Sequence, residues 1–510
     1  MNVRGPNIPA TYPRVRRSTL PPDGTVVTGP QLKESRTKIV ATVGPASKSP
    51  EMLDRLLFAG VDVFRLNLSH GDVEDHIVVL HEIRAAVART GCVAGVLADL
   101  PGPKVRAGQL PPGGVELTAG STVDLVPGDG PSTVDRFTVD YTSLLEDLQP
   151  GDRVLIGDGA IWLMVDEITD RVARTHVVTG GVTQARPGVH IPSERLRLST
   201  PTQDDLRLAR IIAAEGVDFL AVSFVRAPGD VEQVRAAVLP YTPHIVAKIE
   251  TAPAVASIGS IVAASDAVMV ARGDLGIECP MEDVPHLQKT IIRRCVEVGV
   301  PVITATQMLE SMITAPAPTR AEVSDVANAV FDGTDALMLS AETAIGHDPV
   351  SVVETMVRIA GRAEAEASYS RWGRRLARLQ HHRWPDGPDR ITMALTHAAG
   401  LAAVDAGADA IVCCTFSGRT ARAMARFRPT VRLIGVAPNP ATVRTLTLSW
   451  GVTPIEAELY SSTDDVVWHA VESVVRRGLV SQGQIVLVLA GAPGRGSGVA
   501  ADVLRIVQVS

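Results

Sequence analysis

The 510-residue sequence contains little lysine, few aromatic residues and few cysteines. Six lysines stand against 43 arginines, aromatic residues make up 4% of the chain, and the five cysteines form no CxxC pair. With so few aromatic rings, the core must be built mainly from Ala, Val, Leu and Ile. The cysteine spacing argues against a disulfide framework and favours buried thiols of a cytoplasmic protein.

Long apolar runs and an excess of positive charge are also missing. No run reaches the ~18 apolar residues that a membrane-spanning helix needs, so no membrane partner is expected. The net charge of −7 argues against broad nucleic-acid binding. Residues 1–31 hold six prolines and four arginines without an apolar stretch. We therefore expect residues 1–32 to form a disordered tail rather than a targeting signal.

Short apolar runs recur along the chain and alternate with helical patterns, which predicts parallel β/α units. Residues 33–104 and 199–365 contain eight such runs and together span about 240 residues, close to the ~250 of a typical eight-stranded β/α barrel. The predicted strands are 38–43, 61–66, 94–99, 218–222, 245–248, 267–270, 302–305 and 336–339.

The barrel pattern is interrupted once and is followed by a different domain. Over residues 105–198 short alternating strands and Gly/Pro/Asp turns replace the helices, which predicts a small β domain inserted into a barrel loop. Residues 366–391 are arginine-rich and are interpreted as a linker, although a basic patch for an acidic partner is the alternative. Residues 392–510 predict a C-terminal doubly wound α/β domain.

One of the rare lysines, Lys248, carries the clearest chemical signal. It lies at the end of a predicted strand with Glu250 two residues later, so both side chains should share one face. The next strand ends at Asp274, in a predicted turn. Two carboxylates suit Mg²⁺, and an ammonium suits the charge on a transferring phosphoryl group. No lysine follows a glycine, so a P-loop is absent.

The other strand ends add cations and hydroxyl groups to this set. Arg65, His70, Asp99 and Thr306 all follow predicted strands, and barrel active sites gather at that end. Each has a plainer interpretation: Glu250 and Asp274 could pair with Arg272, while Arg65, His70 and Thr306 could be ordinary surface or strand-end residues. Lys248 is harder to explain in this way, because the chain otherwise uses arginine almost throughout.

Four segments together resemble the pyruvate kinase family. They are residues 37–47 (TKIVATVGPAS), residues 64–71 (FRLNLSHG), the segments around Lys248 and Asp274, and residues 305–346, which include ATQMLESM and PTRAE. The resemblance covers nearly everything after residue 33, and it implies that the inserted domain 105–198 is a small β-barrel that acts as a lid and that the domain 392–510 is regulatory. It implies transfer of a phosphoryl group from phosphoenolpyruvate to ADP, giving pyruvate and ATP at the last step of glycolysis.

The resemblance also implies roles for individual residues. Glu250 and Asp274 would be ligands of Mg²⁺ (or Mn²⁺), and Lys248 would stabilise the phosphoryl group in transfer. Arg65 would bind the phosphate, and the backbone N–H groups of Gly273 and Asp274 would bind the substrate carboxylate. Thr306 would take part in protonating the enolate. The residues that would line the nucleotide site are Pro45, Asn67, His70 and Arg106.

A departure from the family pattern concerns the monovalent cation. Asn67, Ser69, Asp99 and Leu100 match the positions of K⁺ ligands. Lys104, however, stands where the family most often has glutamate, and its ammonium could supply the charge that K⁺ would bring. We therefore predict that K⁺ is dispensable, unless Lys104 is merely a solvated surface lysine.

The C-terminal domain carries a loop that resembles the family's site for a phosphorylated effector. The loop, formed by Thr415, Ser417, Gly418, Arg419 and Thr420, should open a helix whose N–H groups can bind phosphate. A capped turn without a ligand is the alternative. The family further suggests a homotetramer. Two other functions stay open, namely a Mg²⁺-dependent lyase or aldolase and a catalytically inactive, metabolite-sensing paralogue.

Overall fold

A closed β/α barrel forms the centre of the computed structural model. The structure describes residues 35–103, 105–157, 159, 161–191, 197–367, 369, 372–373, 376, 388–458, 462–491 and 501–510. The predicted tail, Lys104 and most of the predicted linker lie outside these residues. The barrel strands are β1 (Lys38–Thr42), β2 (Val63–Asn67), β3 (Gly95–Asp99), β12 (Phe219–Val222), β13 (His244–Ile249), β14 (Ala267–Ala271), β15 (Val302–Ala305) and β16 (Ala336–Leu339). Around the barrel they follow the order β1-β16-β15-β14-β13-β12-β3-β2, and all neighbouring strands are parallel.

Helices cover the outside of the barrel and leave its strands almost entirely buried. Local signals start several of them: Thr319 and Glu322 form a reciprocal capping box, and Ser49 caps the first helix. The helices are Pro50–Ala59, Val73–Thr90, Gln203–Ala214, Pro228–Ala237, Ala252–Ala256, Ile258–Ala264, Arg272–Glu278, Val284–Val298, Arg320–Asp332, Ala341–Ala344 and Pro349–Glu366. No helix among the described residues is long and apolar enough to cross a membrane.

The interior of the barrel changes character from one end to the other. Side chains of one strand alternate between inside and outside, so every second residue faces the axis. Val63, Leu97 and Val246 belong to the apolar cluster inside the barrel. Two residues further along the same strands come Arg65, Asp99 and Lys248. The alternation that buries the apolar residues therefore also places charged groups together at the carboxyl end of the strands.

The insertion between β3 and β12 is a β domain with its own core. Its larger sheet has the order β11-β7-β8-β9-β5-β6, and β4 pairs with β10 beside it. Twenty buried apolar residues form its separate cluster, which explains why the helical pattern stops here. Its strands are β4 (Val115–Leu117), β5 (Thr122–Pro127), β6 (Arg136–Val139), β7 (Arg153–Ile156), β8 (Ile161–Ile168), β9 (Ala173–Thr179), β10 (Gly181–Thr183) and β11 (Val189–His190), with a short helix Leu144–Asp147.

The two ends of the insertion meet at one carboxylate. Asp205 accepts a hydrogen bond from the N–H of Gly102 (2.9 Å), where the chain leaves the barrel. It also accepts one from the N–H of Thr202 (2.9 Å), where the returning helix begins, and completes the capping box of that helix. Asp205 therefore joins the outgoing and returning chain at the base of the lid.

The C-terminal domain is a five-stranded sheet with helices on its faces. Its order is β19-β18-β17-β20-β21, parallel except for the antiparallel pair β20/β21. The predicted fold class is confirmed, although the edge strand β21 was not predicted and helix Pro388–Asp405 begins before residue 392. The strands are β17 (Ala410–Cys414), β18 (Arg432–Ala437), β19 (Val452–Glu456), β20 (Ile485–Gly491) and β21 (Ala501–Gln508), and the helices are Pro388–Asp405, Arg419–Ala425, Pro440–Thr445 and Thr463–Arg476.

This domain closes the amino-terminal end of the barrel. Leu448 belongs to the apolar cluster of the barrel interior and is 1% exposed. Arg428, also 1% exposed, pairs with Asp335 of the barrel (2.8 Å) and lies over the Trp450 ring. Arg444 pairs with Asp218 (2.7 Å). The amino-terminal end is thus covered by the C-terminal domain through apolar packing and buried ion pairs.

Candidate active site

Lys248 lies at the centre of a charged cluster at the carboxyl end of the barrel. Its Nζ is 2.8 Å from Glu250 Oε1, 3.4 Å from Asp99 Oδ1 and 2.7 Å from Ser223 Oγ. Burial alone would lower the pKa of Lys248, but the carboxylates of Asp99 and Glu250 outweigh it and raise the pKa. The ammonium is therefore permanently charged and held at a fixed position.

Asp99 connects this lysine to Arg65. Arg65 Nη2 is 2.7 Å from Asp99 Oδ2, and Arg65 Nη1 donates to Thr42 Oγ1 at 3.0 Å. Burial works to raise the pKa of Asp99, but Lys248 and Arg65 prevail and lower it. A single ionised carboxylate thus orients two cations toward the same end of the barrel.

Glu250 is fully buried and keeps one oxygen without a hydrogen bond. Its Oε2 accepts from the N–H of Phe224 at 2.6 Å. Its Oε1 is close to the Lys248 ammonium but receives no hydrogen bond of acceptable geometry from any described residue. Burial raises the pKa of Glu250; Lys248 opposes this effect and Asp274 adds to it. A buried oxygen of this kind is a good ligand for a hard cation.

Gly273 and Asp274 form the first turn of helix Arg272–Glu278, not the turn that was predicted, because Leu275 buries its side chain and continues the helix. The Gly273 N–H donates to Thr306 Oγ1 at 2.9 Å, and Thr306 donates to the Ala305 carbonyl at 2.7 Å. Asp274 lies close enough to raise the pKa of both Lys248 and Glu250.

Arg272 does not neutralise the two carboxylates, contrary to the alternative interpretation. It pairs with Asp325 (2.6 Å) and donates to the carbonyls of Ala305 (3.2 Å) and Thr306 (2.6 Å). It thereby fixes the loop that carries Thr306. Glu250 and Asp274 are left to act on something else at this end of the barrel.

Backbone strain is concentrated around the cluster. Phe224, Thr306 and Gln307 have φ values of 54°, 67° and 54°, in the left-handed region that non-glycine residues rarely adopt. Such strain persists where the surrounding structure enforces it, and it is common at functional sites. Phe224 presents its N–H to Glu250, and Thr306 presents its hydroxyl group to Gly273.

The predicted nucleotide and monovalent-cation residues lie on loops around the cluster. Asn67 accepts from the N–H of Ser69 at 3.3 Å, and the Leu100 carbonyl accepts from Ser223 at 2.8 Å. Pro45 and His70 are exposed on two strand-end loops. Arg106 lies at the base of the lid, where it donates to the Arg186 carbonyl at 3.2 Å.

The loop predicted to bind an effector lies between β17 and helix Arg419–Ala425. Gly418 has a φ of 80°, which suits glycine at the start of that helix. Thr415 and Thr420 are buried, Ser417 is half-buried and Arg419 is exposed. The loop belongs to the C-terminal domain and is not part of the charged cluster.

Ser223 and Thr42 belong to the cluster, although sequence reasoning did not select them. Ser223 follows β12 on the same alternation as Phe219 and Ala221, both inside the barrel. Thr42 stands two residues after Val40 in the same way. Extending the inward alternation of each strand by one step would have found both residues.

Comparison with known proteins identifies the family of this chain. Residues 34–353 match the family model "Pyruvate kinase, barrel domain", and residues 393–507 match "Pyruvate kinase, alpha/beta domain". The pyruvate kinase of Geobacillus stearothermophilus is 41% identical over 463 residues, which is 90% of this chain and 78% of that protein. Those of Bacillus licheniformis and Staphylococcus aureus (strain USA300) are 40% and 39% identical, with the same shares covered. This chain belongs to the pyruvate kinase family.

Proposed function

We propose that this protein transfers the phosphoryl group of phosphoenolpyruvate to ADP and produces pyruvate and ATP. The observation that carries the proposal is the buried Lys248 ammonium, held between Asp99 and Glu250 beside Arg65. Catalysis of phosphoryl transfer depends mainly on positioning and on cations preorganised toward the phosphoryl oxygens. The cluster has both properties.

The residues present fit a magnesium ion. Mg²⁺ is usually held by one or two carboxylates together with substrate oxygens, and the unbonded Glu250 Oε1 with the nearby Asp274 provides such a set. No group of three His, Cys, Asp or Glu side chains that could hold a metal occurs within the described residues, as expected if substrate supplies the remaining ligands. When bound, Mg²⁺ (or Mn²⁺) supplies positive charge to the phosphoryl and enolate oxygens.

The side chains of the cluster divide the reaction between them. Arg65 and Lys248 hold the phosphoryl group while its bond to the enol oxygen breaks and a bond to the terminal oxygen of ADP forms. The Gly273–Asp274 turn of the helix faces the substrate carboxylate. The enolate then takes a proton at carbon on the side of Thr306, whose hydroxyl group is fixed by Gly273 and Ala305.

The lid would exclude water while the phosphoryl group is transferred. In the structure, Arg153 of the lid donates to the Ile277 carbonyl at 3.2 Å, and this carbonyl belongs to the helix that carries Asp274. Arg153 also lies over the Trp162 ring at 4.6 Å. ADP would bind between lid and barrel, near Pro45, Asn67, His70 and Arg106.

Several finer features are proposed from family membership. We propose that Asn67, Ser69, Asp99 and Leu100 surround a monovalent-cation position whose charge Lys104 supplies, so that KCl leaves turnover unchanged in a sodium-free assay. We also propose a cytoplasmic homotetramer acting in glycolysis. Its allosteric effector would be a phosphorylated metabolite bound at Thr415, Ser417, Gly418, Arg419 and Thr420.

The test is a coupled assay of pyruvate formation from phosphoenolpyruvate, ADP and Mg²⁺. Lys248→Met should lower kcat by about 10³-fold, because it removes the preorganised cation. Lys289→Met is the matched control, since Lys289 is half exposed and pairs with Asp332 outside the cluster. Equal activity of the two variants would contradict the assigned role. Pyruvate formation without ADP would indicate transfer of the phosphoryl group to water, and no turnover in the wild type would leave the lyase or aldolase and the inactive paralogue as the remaining functions.

A further inference from the structure

A small cleft separates the amino-terminal end of the barrel from the C-terminal domain, on the opposite side from the active site. It encloses about 240 Å³ of space that no atom occupies, part of it open to solvent. The barrel contributes the end of helix Val284–Val298 and the start of β15. The residues that line it include Gly299, Asp335, Arg422, Arg426, Arg428 and Ser449.

The arginines of this cleft bring buried N–H groups that nothing in the described structure accepts. Arg426 is 3% exposed, and its Nε and Nη2 have no hydrogen-bond partner among the described residues. The same holds for Arg422 Nη1, Arg428 Nε and the Ser449 hydroxyl oxygen. A buried donor without an acceptor is costly, and a charged one more so. So many of them at one place indicate that an acceptor is missing.

Charge in the cleft is unbalanced as well. Its wall carries three guanidinium groups and one carboxylate, Asp335, which Arg428 already engages at 2.8 Å. Burial lowers the pKa of Arg426 to about 10, and no carboxylate counteracts this. Burial also lowers the pKa of Arg422, which Asp266 opposes and Arg419 reinforces. Asp266 is itself paired with Arg235 (2.8 Å).

We propose that this cleft binds a small oxyanion, either a phosphate ion or the phosphoryl group of a phosphorylated metabolite, between Arg422 and Arg426. Guanidinium groups match the oxygens of phosphate in geometry and charge. Part of the cleft is open to solvent. A larger molecule would therefore insert its phosphoryl group and leave the remainder in solvent.

The bound anion would join the two domains. Arg422 lies on helix Arg419–Ala425, its N–H donates to the Gly418 carbonyl at 3.0 Å, and Arg426 follows that helix. The facing wall belongs to the barrel. The effector loop lies at the other end of the same helix, with its Gly418 close to Arg422 Nη1, whereas Arg426 lies at the cleft end.

Thermal unfolding of the full chain tests the proposal without measuring turnover, so its outcome is independent of the proposed catalytic function. Wild type and Arg426→Met are compared in HEPES buffer at constant ionic strength, alone, with inorganic phosphate and with ribose 5-phosphate. Both proteins keep the active site and the effector loop. The difference between their ligand-induced shifts therefore reports the cleft alone.

At saturating phosphate the wild-type midpoint should rise by about 2–3 °C more than that of Arg426→Met. Without phosphate the variant should equal or exceed the wild type, because it lacks an unpaired buried charge. An excess shift with phosphate alone would identify the free ion as the ligand. An excess shift with ribose 5-phosphate as well would identify a phosphoryl group.

Equal shifts in wild type and Arg426→Met, or no wild-type shift with either compound, would overturn the proposal. Arg207→Met is the matched control, because Arg207 is exposed on helix Gln203–Ala214, and it should shift like the wild type. If Arg426→Met does not fold, Ser449→Ala provides the milder variant. It should lose part of the excess shift, and a full shift would count against the site.

Discussion

The two ends of the barrel both bury charged side chains, but they use them in opposite ways. At the amino-terminal end, Asp335 accepts hydrogen bonds from Arg428, Trp450 and Val302, so its oxygens are fully engaged. At the carboxyl end, Glu250 is buried just as deeply and yet keeps one oxygen without a hydrogen bond. The first arrangement stabilises a domain contact, whereas the second leaves a carboxylate oxygen that can bind a cation.

This difference shows that burial of charge alone does not mark an active site. The carboxyl end combines an oxygen without a hydrogen bond with strained backbone at three residues, Phe224, Thr306 and Gln307, whereas Arg428 is the strained residue at the contact with Asp335. The Arg422–Arg426 cleft lies at the amino-terminal end, but like Glu250 it contains buried polar atoms without a hydrogen-bond partner among the described residues. Variants at the two ends should therefore separate activity from stability.

The largest effect is expected from Glu250→Gln at the carboxyl end. It removes a metal-binding oxygen and the partner of Lys248, so kcat/KM should fall by about 10²–10³-fold and the Mg²⁺ requirement should rise. A Mg²⁺ titration in the coupled assay measures both effects. The thermal midpoint should fall less than in a variant that removes the sole partner of a buried charge, because Lys248 keeps Asp99 as a second carboxylate partner.

Glu232→Gln, on the exposed face of helix Pro228–Ala237, is the control for this experiment and should behave as the wild type. A Glu250→Gln protein with normal Mg²⁺ dependence would show that the unbonded oxygen has no part in metal binding.

The next largest effect is expected from Arg428→Met at the amino-terminal end. It leaves Asp335 without its cation and removes the contact with Trp450, so the free energy of unfolding should fall by about 3 kcal/mol. Denaturant titration measures this loss. Activity per folded molecule should stay within a factor of two, which is the reverse of the Glu250→Gln result. A large loss of kcat in a folded variant would contradict the assignment of stability to this end and activity to the other.

A smaller effect at the same end is expected for the Arg444–Asp218 pair. A double-mutant cycle with Arg444→Met and Asp218→Asn should give a coupling free energy of about 1 kcal/mol. Asp218 also pairs with Arg84 (2.8 Å), which will support it when Arg444 is absent. Additive effects in the cycle would mean that this contact contributes nothing to joining the domains.

The smallest effect is expected from Arg153→Ala in the lid. It removes one hydrogen bond to the helix of Asp274, so the KM for ADP should rise by about two- to fivefold while stability is unchanged. Steady-state kinetics with ADP as the varied substrate measures this change. Arg171→Ala, in an exposed turn of the same domain, should leave the KM unaltered; if both variants shift it equally, the Ile277 contact is irrelevant to closure.

The barrel could be predicted from the sequence because its strands are continuous apolar runs that end in polar residues. Seven of the eight runs match the observed strands to within one residue at each end, and the remaining run, 61–66, begins two residues too early. The charged cluster followed from the period of two within strands. The contact between Asp335 and Arg428 could not be predicted, because these residues are 93 positions apart and each has an ordinary local pattern. The edge strand β21 was missed because its burial is irregular.

The junction at Asp205 means that the lid is one detachable loop of the barrel as far as chain topology is concerned. Both of its ends are hydrogen-bonded to the Asp205 carboxylate. They lie above the adjacent strands β3 and β12, which pair directly with each other. Because the entropic cost of closing a loop grows only with the logarithm of its length, such an insertion burdens the barrel little. In a family with this topology, the lid can be lengthened, replaced or lost while the barrel fold stays the same.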